Sequence, residues 1–475
     1  MFNFWDYEVW SGMLLVAVLL GSLLVGNTLR RKIPFLRNSL IPTSVIAGCV
    51  LLIFTACYKA ITGNVFFDSA IFGGDGSTPG TLSGTASLEL ITYHALALGF
   101  IASSLKSSDK PVGKKRTREI FDTGVTTVST YLLQGTVGMA ITIIAALTVM
   151  PGFFKASGLI LPFGYGQGTG QALNWGVIYE ALGFDGGADF GLTIAALGFL
   201  SAAIGGVVHL NWRKANGKLK RSSRTDGSDT TEVVESPGEI PMQESVDKMT
   251  IQISFIVIAY VICFAFMYLL GKLLPGMKAT VYGFNFILGV IGAIIVKTAV
   301  KLLRKCGLMH REYINNFLLT RTSNFFFDLM VVAGVAAIRL DKLESYWGIV
   351  LLLGVVGLLI TYVYLRIVSR VLFPEYEEEQ FLMMFGMLTG TASTGTILLR
   401  EIDDEFKTPA ADNMVYQNFP AIVFGFPLML LANLAPKQPE LTVGILAAFF
   451  VVMNIILFRN QIFRKRAKKK GSEEK

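Results

Sequence analysis

The sequence predicts an all-α polytopic membrane protein made of two inverted five-helix repeats, each with a broken, re-entrant helix, plus one extra C-terminal span. Three observations predict it. Of 475 residues, 52% are hydrophobic and only 16% are charged, where soluble domains carry about 25% charged residues. One pattern is written twice between long apolar stretches, as Phe163-Gly164-Tyr165-Gly166-Gln167-Gly168-Thr169 and as Phe385-Gly386-Met387-Leu388-Thr389-Gly390-Thr391. Lys and Arg gather in short runs at the ends of apolar segments, and such runs report topology.

Residues 9–29 form the first candidate span. Arg30, Arg31, Lys32 and Arg37 follow it, which places that end in the cytoplasm and the N-terminus outside. Residues 41–61 return outward, and the next loop, with Gly73, Gly74, Asp75, Gly76 and Ser77, has no Lys or Arg before the third span. Residues 88–105 come in to Lys106, Lys110, Lys114, Lys115, Arg116 and Arg118, and residues 120–150 go out. The first broken stretch, 151–183, must then enter and leave from the outer side so that residues 188–212 can return to the cytoplasm. Residues 213–248 are polar and read as a disordered connector.

The second half runs the other way up. Residues 250–273 go out, 280–300 come in to Lys301, Arg304, Lys305 and Arg311, 316–338 go out, and 346–372 come in. The second broken stretch, 381–399, enters from the cytoplasmic side, and 412–434 go out. The repeats are therefore residues 1–212 and 249–436, joined by the 213–248 linker. Residues 437–475 add the span 441–458 and a basic tail from Arg459 to Lys470, which leaves the C-terminus inside. Each span has about the 20 residues that cross a bilayer core of about 30 Å at 1.5 Å per residue.

The two Gly-Thr stretches are read as breaks because glycine costs about 1 kcal/mol against alanine in a helix. Inside a bilayer such backbone survives only where it is buried in protein or lines a cavity, and paired breaks in corresponding positions mark the binding site of secondary transporters. The competing reading is that small residues let helices pack closely. A half-helix that starts at a break presents free N–H groups and partial positive charge, which suits a carboxylate. Gly166, Gln167, Gly168, Thr169, Gly390, Thr391, Ser393 and Thr394 are the candidate substrate-binding residues. Carbonyls and the hydroxyls of Thr169, Thr389 and Thr391 offer the oxygen shell that Na⁺ requires, although Thr and Ser in apolar helices also bond back to their own backbone.

Asp328 lies twelve positions after Asn316, about 18 Å into its helix. An intramembrane carboxylate is a functional candidate, and Asp328 joins the sodium set. Arg321 either bridges to it or reaches the cytoplasmic interface. Asp189 and Asp412 follow the breaks in matching Ala-Asp pairs and read either as pseudo-symmetric ligands or as helix N-terminal carboxylates. His94 reads as a hydrogen-bonded bundle residue. The sequence has no His-Glu-x-x-His and no Gly-x-Ser-x-Gly, and His94, His209 and His310 stand far apart, so no enzyme is expected. Cys49, Cys57, Cys263 and Cys306 form no CxxC pair, so neither a disulfide framework nor a zinc site is expected. Basic residues confined to span ends give no nucleic-acid surface.

These residues resemble the bacterial sodium/glutamate symporter family. The likeness covers most of the chain: Ile41-Pro42 opening the second span, Leu98 to Leu105 closing the third, the Gly-x-Gly-Thr-Gly of residues 166–170, and Asn324 in the eighth span. The resemblance implies a homodimer in the bacterial inner membrane. It also implies sodium-coupled uptake of an acidic amino acid such as glutamate, with a transport domain moving against a fixed scaffold. No tightly bound cofactor is implied, with Na⁺ as coupling ion, and Asn324 becomes a further sodium candidate. The chain departs from the family at Gln167, where the first break usually has histidine, and in residues 390–396, which lack the proline of the second. A sodium- or proton-coupled carrier for another small carboxylate, a dicarboxylate or hydroxy acid, therefore stays open beside the glutamate reading.

Overall fold

The computed structural model describes residues 4–38, 41–76, 82–106, 113–216, 247–309, 311–403, 407–459 and 461–462. The protein is an all-α polytopic membrane protein, with ten helices among the described residues long and apolar enough to cross a membrane. In chain order the principal helices are α1 (Tyr7–Lys32), α2 (Thr43–Thr62), α3 (Gly84–Leu105) and α4 (Lys114–Thr148). The first broken stretch holds α5 (Ile160–Gln167) and α6 (Thr169–Glu180), followed by α7 (Gly187–Ala215). The second half contains α8 (Lys248–Leu273), α9 (Asn285–Lys305), α10 (Asn316–Ala336) and α11 (Trp347–Leu372). Its broken stretch holds α12 (Glu377–Thr389) and α13 (Ala392–Arg400), and α14 (Asn418–Leu434) and α15 (Pro439–Leu457) close the chain.

Helix starts follow local chemistry. Ser83 caps α3 by accepting from the Ala86 N–H at 3.1 Å, Asp247 caps α8 by accepting from Met249 N–H at 2.8 Å, and Asn315 caps α10 by accepting from Leu318 N–H at 2.8 Å. Each side-chain oxygen takes one of the N–H groups that a helix start leaves without a partner.

Several boundaries differ from expectation. The tenth span, expected over 412–434, is divided into Ala410–Tyr416 and the 17-residue α14, whose apolar part is Pro420–Leu434. Pro420 accounts for the division, since it has no N–H to donate to the Tyr416 carbonyl four residues before, while α14 continues through Pro427. The seventh span starts at Asn285, after a separate short helix over Lys278–Gly283. Arg213, expected to open the linker, lies in the last turns of α7, and residues 217–246 of that linker fall outside the described residues. The basic tail beyond Ile462 also falls outside them.

Packing gathers the helices into two groups that cut across the two halves of the sequence. One contains α1, α2, α3, α8, α9 and α10, with α3 against α10 as its densest contact. There Ser323 Oγ donates to the Gly99 carbonyl at 2.9 Å, and the Phe327 ring lies on Gly99. The other group contains α4, α5, α7, α11, α12, α13, α14 and α15, arranged around α4. The last helix is held there by Arg459, which donates to the buried Asp122 at 2.8 Å. The bridge between the groups is α6, which packs on α3 and α10 on one side and on α7 on the other. Exchanging the two halves of the chain maps contacts onto contacts: α1–α2 onto α8–α9, α2–α10 onto α9–α3, and α4–α5 onto α11–α12.

Candidate functional site

Both Gly-Thr stretches are breaks, and the two breaks meet. The first falls at Gly168, with φ 77° and ψ −170°, a region that only glycine enters freely. The second falls at Gly390 and Thr391, at φ −143° for both. With ψ 171°, Thr391 is extended backbone, whereas Gly390, with ψ −104°, is neither extended nor helical; its φ is negative where that of Gly168 is positive, so the two glycines are not equivalent. A Cβ built on Gly168 would lie 3.2 Å from Thr391 Cγ2 and 3.7 Å from the Gly390 carbonyl oxygen. Two residues 223 apart in sequence thus touch.

Each break leaves helix ends to be satisfied. On the C-terminal side of the breaks, carbonyls of α5 and α12 lose their helical donors. The fourth helix replaces two of them. Tyr131 donates from its hydroxyl to the Gly166 carbonyl at 3.1 Å, and Gln134 donates from Nε2 to the Leu388 carbonyl at 3.0 Å and to Thr361 Oγ1 at 2.8 Å. On the N-terminal side, α6 begins after Gly168 and α13 after Thr391, and neither start has a side-chain cap. The two helices, 12 and 9 residues long, therefore bring uncapped N–H groups and the positive ends of their dipoles to one place.

The expected substrate residues fall into two sets. Gln167, half-buried, Gly168, Thr169, Gly390, Thr391 and Thr394 gather at the junction. Thr169 Oγ1 faces the Met330 carbonyl at 3.4 Å, and Thr391 and Thr394 share a hydroxyl contact of 3.4 Å. Gly166 is packed under the Tyr131 ring, which leaves no room there for a Cβ, so its small size serves close packing. The Ser393 side chain lies outside the described residues.

The expected sodium residues are more scattered. Thr389 is fully buried and bonds back to the Phe385 carbonyl at 2.6 Å, the backbone alternative. Asp328 hydrogen-bonds to Ser44 of α2. At 100° per residue it points to the opposite side of α10 from Met330, which meets Thr169. Asn324 is exposed one turn before Asp328 on that outlying face. The structure thus brings Thr169 and Thr391 together and leaves Asn324 and Asp328 apart from them. Nor do the Ala-Asp pairs match: buried Asp189 accepts from the Arg339 N–H at 2.6 Å, while exposed Asp412 pairs with Arg116 at 3.6 Å. Arg321 is exposed and lies over the Phe317 ring at 5.2 Å. His94 Nδ1 hydrogen-bonds to the Tyr260 hydroxyl at 2.5 Å.

Sequence reading missed three groups beside the breaks. Tyr131 and Gln134 stand among several Thr and Ser residues of α4, and nothing in a linear pattern pairs them with Gly166 and Leu388. Gln171 lies in the first turn of α6, 1% exposed, and neither its Oε1 nor its Nε2 has a hydrogen-bond partner among the described residues. A fourth missed feature holds the N-terminal end of α12. Buried Glu378 accepts from His209 Nε2 at 2.8 Å, from Arg366 at 2.8 Å and from Arg213. His209 in turn contacts the Tyr362 hydroxyl at 2.8 Å, so α7, α11 and α12 are tied at one carboxylate.

A cavity of about 410 Å³ lies elsewhere, bounded by Thr55, Lys59, Phe67, Arg339 and Asp341, between α2 and the end of α10, and no break residue lines it. No group of three or more His, Cys, Asp or Glu side chains is placed to hold a metal ion among the described residues. Compared with known proteins, the chain matches no family model and no curated sequence.

Proposed function

We propose that the protein is a secondary active transporter that carries an acidic amino acid, glutamate or close to it, into the cell with Na⁺. The observation that supports this reading is the contact between Gly168 and Thr391, where two uncapped helix starts converge inside a multi-pass bundle. Two positive helix ends at one point suit a substrate with two carboxylates, and broken helices meeting at depth are the architecture of secondary transporters. The contacts that exchange between the halves support the inverted repeat. The division into two helix groups supports an elevator-like movement, with the group around α4 carrying both breaks against the group around α3. In this reading the N-terminus is outside, the C-terminus is cytoplasmic, the membrane is the bacterial inner membrane, and the working unit is a homodimer.

Two features favour keeping a second substrate class in the test. Asp328 and Asp189 point away from the junction or are already engaged, so no described acidic side chain is placed there to pair with an amino group. A carrier for a plain dicarboxylate or hydroxy acid would share the same helix ends. The experiment is thermal stabilisation of the purified protein across acidic amino acids, dicarboxylates and hydroxy acids, each with and without Na⁺. Stabilisation by one class in Na⁺ supports the reading and assigns the class; no stabilisation by any of them contradicts it.

A further inference from the structure

We propose that Gln171 reads the α-amino-acid head of the substrate, its Oε1 accepting from the ammonium and its Nε2 donating to the neighbouring carboxylate. This rests on the transporter reading above and gives its site a specificity-determining residue. A carboxamide that is 1% exposed with both polar atoms unpartnered is unusual, because buried polar groups are almost always hydrogen-bonded. Such a group carries a lasting penalty in stability unless a ligand satisfies it.

The position of Gln171 says which ligand. Helical side chains lean toward the N-terminus and cover the turn before their own Cα, and the turn before Gln171 is the break at Gly168. Its neighbours meet other elements: Thr169 packs on Met330 and Gly334, Gly170 on Leu96, and the Ala172 backbone on Gly191. Asn174, the next polar residue of α6, is committed, donating to the Gly283 carbonyl at 3.2 Å. Gln171 is thus the polar side chain of α6 left to face the junction.

Its chemistry completes what the helix ends lack. Free N–H groups satisfy carboxylates but give nothing to an ammonium group, which needs acceptors. Asp189 accepts from the Arg339 N–H and Asp328 hydrogen-bonds to Ser44 on the far side of α10. A carboxamide carries an acceptor and a donor side by side on separate atoms, matching an ammonium and a carboxylate held on one carbon. Recognition of the amino group by a neutral side chain also avoids a buried acidic group that would oppose the substrate's own carboxylates.

The test compares glutamate with glutarate, which has the same two carboxylates and no amino group. Calorimetry in Na⁺ on wild type, Gln171→Met and Gln171→Asn reads both affinities, and ligand-free melting temperatures report folding. In Gln171→Met the ratio of glutamate to glutarate affinity should fall by about tenfold or more. Gln171→Asn keeps the same atoms one methylene further back and should fall between the two. An unchanged ratio in both variants, whatever the absolute affinities, overturns the proposal, since a merely structural role would weaken both ligands alike. Wild type that binds glutarate but not glutamate also overturns it while leaving a carboxylate carrier standing. Wild type that binds neither also overturns it, and the transporter reading then stands or falls on the wider screen of acidic amino acids, dicarboxylates and hydroxy acids.

Discussion

Tyr131 and Gln134, three residues apart on α4, each donate to a carbonyl freed by a different break, Gly166 on α5 and Leu388 on α12. One face of one helix therefore stabilises both interruptions. An unpaired carbonyl away from water costs several kcal/mol, so the breaks depend on α4 as much as on their own glycines. Replacing Gln134 by Leu should destabilise the protein by about 1–3 kcal/mol, the cost of leaving a buried acceptor unmade. Thr361→Val removes only the other partner of the same amide and should cost less. Thermal unfolding of the two variants checks this; equal melting temperatures for Gln134→Leu and wild type would show that Leu388 finds another donor.

The junction glycines should separate in their response to a single methyl group. At Gly168 the backbone angles alone disfavour a side chain by about 1–3 kcal/mol, and the new Cβ would meet Thr391 at 3.2 Å. Gly168→Ala should lose both transport and stability. Gly390 has a negative φ, so its penalty comes mainly from contact: a Cβ there would meet Thr394 Oγ1 at 2.9 Å, the Gly386 carbonyl oxygen at 3.1 Å and Phe199 Cδ1 at 3.1 Å, and Gly390→Ala should lose transport and part of its stability. Gly21 has nothing within 4 Å of a built Cβ, which makes Gly21→Ala the control. Wild-type uptake in folded Gly168→Ala and Gly390→Ala would argue that the junction is packing only.

Much of this was legible in the sequence because it was carried by pattern. Hydropathy located most of the spans, and the repeated glycine-threonine pattern located each break within a seven-residue stretch. Individual polar contacts carried no such signal. Gln134 reaches Leu388 across 254 positions, and a lone Gln in an apolar helix looks the same whether it caps a broken helix, faces a ligand as Gln171 does, or packs idly. Asp328 shows the opposite failure. Its depth in the membrane made it stand out, yet depth does not fix direction, and the helix turns it toward Ser44. Arg213 was read as linker because charge at a span end looks like topology, whereas here it closes a buried cluster around Glu378.

That cluster gathers one carboxylate, two guanidinium groups and an imidazole at the N-terminal end of α12, ahead of the second break. Glu378→Gln leaves Arg213 and Arg366 close together without the carboxylate between them, and breaking a buried ionic group from one side costs about 3–5 kcal/mol. A clear drop in melting temperature is expected. His209→Phe removes one hydrogen bond but no fixed charge, so its drop should be smaller; the reverse order would place the weight on the His209–Tyr362 contact instead.

Orientation can be read from the protein's own sulfur. With Cys49, Cys57 and Cys263 changed to Ser, Cys306 remains, exposed just after α9. A membrane-impermeant maleimide should label it only after the cells are opened. Lys437→Cys, exposed between α14 and α15, should be labelled on intact cells. The opposite pattern would invert the arrangement derived from Lys and Arg.

The central claim is that the two breaks form one site for an anionic substrate and Na⁺. It is tested most directly by titrating the purified protein with glutamate in NaCl and in choline chloride at equal ionic strength, and titrating Na⁺ with and without glutamate. If both ligands share the junction, each raises the affinity of the other by the same factor, because coupling free energy is reciprocal. A coupling of about 1–3 kcal/mol, roughly 5- to 150-fold in affinity, is the predicted result. Equal glutamate affinity in the two salts would contradict it.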